Sequence, residues 1–246
     1  MKKIIFKNIH FNNFKINEFD NIIKMKGLFV FPSGPGLASI DEHDLYYNSL
    51  KKADYVFFDS GLFILLLSIF KNIKVNKFSG FKFLRLFFFY LKKNKTKSIF
   101  SIDPNYKFSK SNKRYLKRLG VKKIYNYIAP KYDTKKLSDK KLLKEIIKAK
   151  PSFIMINIGG GTQEILGLYL KRKLRFKTSI ICTGGAISFF TGDQAPIERY
   201  IDKFFLGWFV RIIFKPQIFF KRYLKTFKFI KIFFKYKNTI DRKSVV

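Results

Sequence analysis

The chain has 246 residues, 47% hydrophobic and 27% charged, which supports a substantial α/β domain with a smaller appendage and excludes a solvated, disordered polymer. Its 51 Lys and Arg against 16 Asp and Glu give a formal net charge of +35, a cationic surface that would attract nucleic acid, anionic lipid headgroups or a phosphorylated substrate without choosing among them. The crowding of Phe, Ile, Asn and Tyr suggests a compositional drift, so much of the lysine excess is read as solvated surface.

In chain order the hydrophobic pattern predicts a strand near 4–6, a helix over 16–24, a strand at 28–31, a helix over 42–52 and a strand at 55–58. Helices follow over 62–70 and 83–93. Then come a strand at 98–102, a helix over 109–119, a strand at 123–127, a helix over 139–148, a strand at 152–158, a helix over 163–172 and a strand at 178–183. Strands such as "SFIMINI" are apolar on both sides, and they alternate with helices. That pattern predicts a Rossmann-like α/β fold, a mainly parallel sheet covered by helices on both faces. The longest apolar runs, 62–70 and around 86–91, fall short of the ~20 residues that cross a bilayer, so no transmembrane helix is expected.

Composition shifts after Pro196, where a basic, helical, membrane-associating appendage over 196–246 is expected to follow the core at 1–195. From Lys203 to Ile240 there is no acidic residue, and Lys and Arg alternate with Phe, Ile, Trp and Tyr. Phe219, Tyr223, Phe227, Ile230 and Phe234 follow helical spacing, with Lys221, Lys225, Lys228, Lys231 and Lys235 on the opposite side. Such a helix can lie in the interface of an anionic membrane. The alternative is that its aromatic side packs on the main domain; the charge asymmetry favours the membrane.

The strongest local signal is "INIGGGTQEI", a strand running into three glycines at the start of a helix. Gly159, Gly160 and Gly161 would let a diphosphate approach a helix N-terminus; a tight turn with no ligand would look the same. Gly184 and Gly185 end the next strand in "ICTGGAIS", at the same sheet edge if the strands are parallel. Asp59, ending the strand in "DYVFFDSG", could act as a general base or cap the following helix. Ser33, Gly34 and Gly36 in "FPSGPG" could hold an acceptor or phosphate, or form a structural loop. The segment "DEHD" at 41–44 reads as a helix start.

His10 and His43 lack partners at metal-ligand spacing, so no tightly bound metal and no cofactor are expected. The single cysteine, Cys182, excludes an internal disulfide, and no serine elbow accompanies a histidine. No signal-peptide pattern opens the chain, which places the catalytic domain in the cytoplasm as an expectation.

These residues resemble the WecG/TagA/CpsF glycosyltransferases over nearly the whole chain. "PSFIMINIGGGTQE" is similar to that family's strand, glycine turn and Gln-Glu pair, at Gln163 and Glu164. "ICTGGAISFFTGDQAPIERYIDKFFLGWFVRIIFKPQIFFKRY" is similar to its glycine stretch, Ala195-Pro196, Trp208, Arg211, Pro216 and Arg222-Tyr223. "KKADYVFFDSG" resembles its Ala-Asp strand leading to the aspartate proposed as catalytic base, here Asp59, and "KFSGFKFL" and "NYIAPKYD" occupy two weaker motifs. The sequence departs from the pattern at "FPS", at Ser60 and at "SIDPN", where the family carries Thr-x-Asn, a glycine and a glycine pair.

The resemblance implies a metal-independent, inverting transferase. It would move an N-acetylmannosamine-type sugar from a UDP-sugar to a polyprenyl-diphosphate-linked acceptor, on the inner face of the membrane, in cell-surface polysaccharide or teichoic acid biosynthesis. It adds Gln163, Glu164, Arg211 and Arg222 as donor contacts to the turns at Gly159–Gly161 and Gly184–Gly185, while Ser33 and Gly34 stay acceptor candidates on their own residues. A catalytically inactive membrane platform of the same fold, or an RNA-binding protein, are the alternative readings; the pattern of aromatics argues for no nucleic acid partner.

Overall fold

The computed structural model describes residues 2–94, 98–193, 217, 224–236 and 238–241. Nine strands form one sheet: β1 (Lys2–Phe6), β2 (Ile9–Asn13), β3 (Gly27–Val30), β4 (Tyr55–Phe57), β5 (Ser98–Asp103), β6 (Lys123–Ile128), β7 (Phe153–Ile156), β8 (Ser179–Cys182) and β9 (Asn238–Asp241). Their order is β6-β5-β7-β8-β3-β4-β2-β1-β9. Every neighbouring pair from β6 to β2 is parallel, and β1 runs antiparallel between β2 and β9.

The helices are α1 (Phe19–Met25), α2 (Gly34–Leu37), α3 (Asp44–Lys51), α4 (Gly61–Lys71), α5 (Gly80–Lys93), α6 (Tyr106–Arg118), α7 (Lys140–Ala149), α8 (Thr162–Lys173), α9 (Ser188–Thr191) and α10 (Lys228–Lys235). Short 3-10 turns precede α1, α9 and α10. Alternate strand residues serve the two faces, as a period of two requires. Leu28, Val30, Ile154, Ile156, Ile180 and Cys182 join the layer under α3, α4, α7, α8 and α10. Phe29, Phe31, Phe153, Met155 and Ile181 join the layer under α1, α5 and α6. The doubly covered, mainly parallel sheet predicted from "SFIMINI" and its neighbours is therefore the fold.

Local chemistry explains where elements begin. Ser60, Ser79, Asn105 and Asp139 accept from the backbone N–H three residues on, at Phe63, Lys82, Phe108 and Leu142, which caps α4, α5, α6 and α7. The Ala53-Asp54 pair has a structural use: Asp54 accepts from the Leu28 N–H at 2.8 Å and pairs with Lys171 at 2.6 Å, tying β3 and α8 to the entry of β4. Strands β2 and β9 are additions to the predicted set. β2 reads "IHFNN", too polar to stand out, and it follows a tight turn in which Lys7 and Asn8 take positive φ without a glycine to signal it.

The end of the chain returns to the core. β9 pairs with β1, and α10 buries Phe229, Ile232 and Phe233 against Phe6 and Phe63. Each fully buried ring contributes roughly 1.5–3 kcal/mol. The alternative in which the side bearing Phe227 and Phe234 packs on the main domain is not what is seen, because both are exposed and the next stripe faces inward. Phe and Lys alternate so densely that the segment carries two apolar stripes, and contact with Phe6 and Phe63 selects one. Phe219, Lys221 and Tyr223 lie outside the described residues. No helix among the described residues is long and apolar enough to cross a membrane.

The segment 41–44 leads into α3 as expected, and Asp41, just ahead of that helix, clamps this arrangement. It accepts from Lys7, from Lys235 at 2.9 Å and from the Tyr236 hydroxyl at 3.2 Å. Burial opposes its charge, but the hydrogen bonds and charges of Lys7 and Lys235 prevail and hold its carboxyl below the usual range. The clamp is therefore complete above about pH 4 and is lost as pH falls through the lowered value. Asp41→Asn should speed amide hydrogen exchange across residues 228–236 and leave β5, β7 and β8 as protected as before. Cys182 is fully buried, donates to the Gln163 carbonyl at 3.4 Å, and has its thiol pushed well up by burial and then by Glu164. A thiol reagent should leave it unmodified in the native protein and label it only on unfolding, at a rate that reads opening of the core.

Candidate active site

Because β7, β8, β3 and β4 are consecutive parallel neighbours, the turns that follow them lie side by side along one sheet edge. The sequence candidates at 159–161, 184–185, 33–34 and 59 thus share one sheet edge, and of them the cleft at this edge takes in Ser33 and 159–161 but not Asp59, Gly184 or Gly185. The connections β5→β6 and β7→β8 leave in opposite directions, so the crevice of this open parallel sheet falls at the same edge.

The glycine turn after β7 is held from beneath and open above. Gly161 has φ +90°, a conformation that side chains resist. Its N–H donates to Glu164 at 2.7 Å, and Gln163 donates to the other Glu164 oxygen at 2.9 Å. Glu164 is only 1% exposed, so it organises the turn from inside. Gly159 has neither a positive φ nor a packing constraint: a Cβ there would meet nothing within 4 Å, and the same open space lies over Gly161. Gly159 and Gly160 are exposed at the N-terminus of α8, whose positive end favours an anion.

That turn forms one wall of a cleft of about 560 Å³. Ser33, Pro35 and Gly36 line it from the end of β3, His43 and Tyr46 from the start of α3, and Thr134 and Lys135 from the loop after β6. The last pair was missed in the sequence; the neighbouring "NYIAPKYD" motif was its only signal. A second cavity of about 360 Å³ lies around Asp139, lined by the end of β6 and the loop that follows it. There the Tyr127 and Tyr132 hydroxyls donate to the carboxylate at 2.9 and 2.7 Å, so its main polar groups satisfy one another.

A continuous series of contacts links the two glycine turns to Asp59. Gly184 has φ +57°, and its Cβ position lies 3.2 Å from the Ile158 carbonyl and 3.5 Å from the Gln163 amide, so glycine is required for conformation and for space. Beside it Thr183 packs on Gly80, and the Gly80 N–H donates to Asp59 Oδ1 at 3.1 Å. Ser60 caps α4, so Asp59 does not; its carboxylate sits half-buried at the N-terminus of α5. Gln163 Oε1 and Thr183 Oγ1 are buried along this series, each without a hydrogen-bond partner among the described residues. Gly185 is exposed next to them.

Two further features border the edge. Thr226, at the head of α10, lies over the second acceptor candidate: a Cβ on Gly34 would meet its Cγ2 at 2.7 Å and the Ser60 hydroxyl at 3.3 Å. At the end of β5, Asp103 is fully buried and accepts from Asn112 at 2.7 Å, Ser101 and Asn157 at 2.9 Å, and Asn126 at 3.3 Å. The "SIDPN" departure is therefore a hydrogen-bonded knot that ties β5 to β7 just before the glycine turn. Arg211 and Arg222 lie outside the described residues. Among the described residues no group of three or more His, Cys, Asp or Glu side chains converges on a metal position.

No curated protein matches the chain. The family described as "Glycosyl transferase WecG/TagA/CpsF family" matches it over residues 3–243, which takes in every element that builds the edge. With that match spanning nearly the whole sequence, and with an α/β fold built from a mainly parallel sheet, the chain belongs to the WecG/TagA/CpsF family of glycosyltransferases.

Proposed function

We propose that the protein is an inverting glycosyltransferase that moves an N-acetylmannosamine-type sugar from a UDP-sugar to a polyprenyl-diphosphate-linked acceptor, on the inner face of the cell membrane, in cell-surface polysaccharide or teichoic acid biosynthesis. The observation that supports it most is the glycine turn at the start of α8, open where no packing demands glycine, on the sheet edge that also bears Asp59.

In this reading Asp59 takes the proton of the acceptor hydroxyl as that oxygen attacks the anomeric carbon. The bond from that carbon to the β-phosphate oxygen breaks with inversion, and UDP departs. The turn at 159–161 and the α8 N-terminus receive the diphosphate, and Gln163 and Gly184–Gly185 bound the donor. Glu164 contributes by holding the turn. Arg211 and Arg222 neutralise the charge that builds on the leaving group, a task suited to the guanidinium fork, and no metal is required. Ser33 and Gly34, with Thr226 packed over Gly34, flank the acceptor. Binding of RNA through base stacking is a poor use of this composition, since the largest fully buried side chains are all phenylalanines and are held in the core.

Asp59→Asn should lower kcat by about 10²–10⁴-fold, the usual worth of a general base, with UDP affinity by calorimetry unchanged. Retained turnover would remove Asp59 from the role, and absence of transfer by the unaltered protein on every UDP-sugar and lipid acceptor tried would favour the inactive platform. Gly159→Ala separates cradle from turn. Its methyl meets no protein atom, so the thermal midpoint should stay put while UDP-sugar affinity falls by roughly tenfold, or about 1.4 kcal/mol. Unchanged affinity would place the diphosphate elsewhere.

A further inference from the structure

The outward sides of α4 and α10 form a surface that the transfer chemistry leaves unused. Leu65, Ile69 and Phe70 on α4, and Leu224, Phe227 and Phe234 on and just before α10, are each 50–62% exposed. They are not scattered: the rings of Phe70 and Phe234 meet edge to face at 5.0 Å, which joins the two stripes. The same helices are locked together underneath, where Phe63 meets Phe229 at 5.2 Å and Phe233 at 6.2 Å. The exposed side chains thus stand on a prearranged pair of helices, and little ordering is needed when they engage a partner. Contiguous exposed apolar residues of this size mark a site of association.

The charges around the stripe choose the partner. Lys71 ends α4, and Lys228, Lys231 and Lys235 are exposed along α10. Of the acids nearby, Asp41 is held by Lys7 and Lys235, and Glu42 stands 3.6 Å from Lys228. A second copy seated by two-fold symmetry would bring this lysine row against itself. Anionic headgroups instead accept the lysines while the aromatic and aliphatic tips enter the acyl boundary.

We propose that α4 and α10 together form one bilayer-docking face, so that a helix of the catalytic core, and not the basic tail alone, seats the protein on anionic membrane. The proposal rests on the membrane placement given above and names the surface that makes it. It also sets the height of the site. α4 starts two residues after Asp59, and its 11 residues span about 16 Å, so the base stands within roughly one helix length of the docked surface. An acceptor whose lipid stays in the bilayer would present its sugar at that level.

The test is co-sedimentation of the full chain with large unilamellar vesicles of phosphatidylcholine alone or mixed with phosphatidylglycerol. Three forms are compared: unaltered, Leu65→Ser/Ile69→Ser/Phe70→Ser, and Phe227→Ser/Phe234→Ser. All substituted side chains are exposed, and unchanged thermal midpoints will confirm folding. The unaltered protein should prefer the anionic vesicles, and each variant should lose about tenfold or more in partitioning. A triple variant of α4 that binds as the unaltered protein does, while the α10 variant is released, would overturn the composite face. So would an unaltered protein that ignores vesicles yet self-associates in sedimentation velocity until the α4 residues are changed. UDP binding, measured in parallel without lipid, should be the same in all three forms, so loss of the docking face is distinguished from failure of the transferase reading.

Discussion

The register of the parallel strands is the constraint on which the rest depends. Residues 27–30 lie between 179–182 and 55–57 in parallel pairing, and 179–182 lies beside 153–156. Every one of these strands is buried on both faces, so a slip of one residue would turn Leu28, Ile154 or Ile180 into the wrong layer and is strongly resisted. With register set, all the strand ends must open on the same edge. The functional geometry follows from hydrophobic burial that makes no contact with a substrate.

On that edge the polar groups divide into those that build and those that are left over. Glu164 holds Gly161 and Gln163, and Asp103 gathers Ser101, Asn112, Asn126 and Asn157 as donors, although the amide oxygens of the three asparagines stay buried without partners. Buried carboxylates satisfied in this way stiffen the loops that bear them. Gln163 Oε1 and Thr183 Oγ1 end up buried without partners beside the glycines. A polar atom left buried and unsatisfied costs about 1–3 kcal/mol, so these two acceptors are a local weakness in an otherwise well-bonded frame.

The C-terminal segment joins this frame at three levels. β9 extends the sheet beside β1, Phe229 and Phe233 enter the core with Phe6 and Phe63, and Asp41 gathers Lys7, Lys235 and Tyr236. The result places Thr226 against Gly34 and Ser60, next to the residue proposed as base. Whatever acts on the outer side of α10 is thereby mechanically close to the reaction edge. A basic amphipathic helix so placed can serve the core with one side and a surface with the other.

The sequence by itself determined the layered fold, because the period of apolar residues responds to burial alone: strands at 28–31, 55–58, 98–102, 152–158 and 178–183 stand out wherever both faces are covered. It also determined the candidate positions at Asp59, Ser33, 159–161 and 184–185, since glycines and a strand-end acid are local signals. Tertiary structure decided the rest, for reasons that are not local. Whether Asp59 caps α4 depended on where the helix begins, and with Gly61 as its first residue the cap falls to Ser60; Glu164 turns inward to accept from Gly161. Lys135 reached the cleft only because β6 lies two strands from β7. The tail helix carried two apolar stripes, and no periodicity could tell which would meet Phe6 and Phe63; that choice belongs to the three-dimensional contact, and it is the same contact that left Phe227 and Phe234 outside.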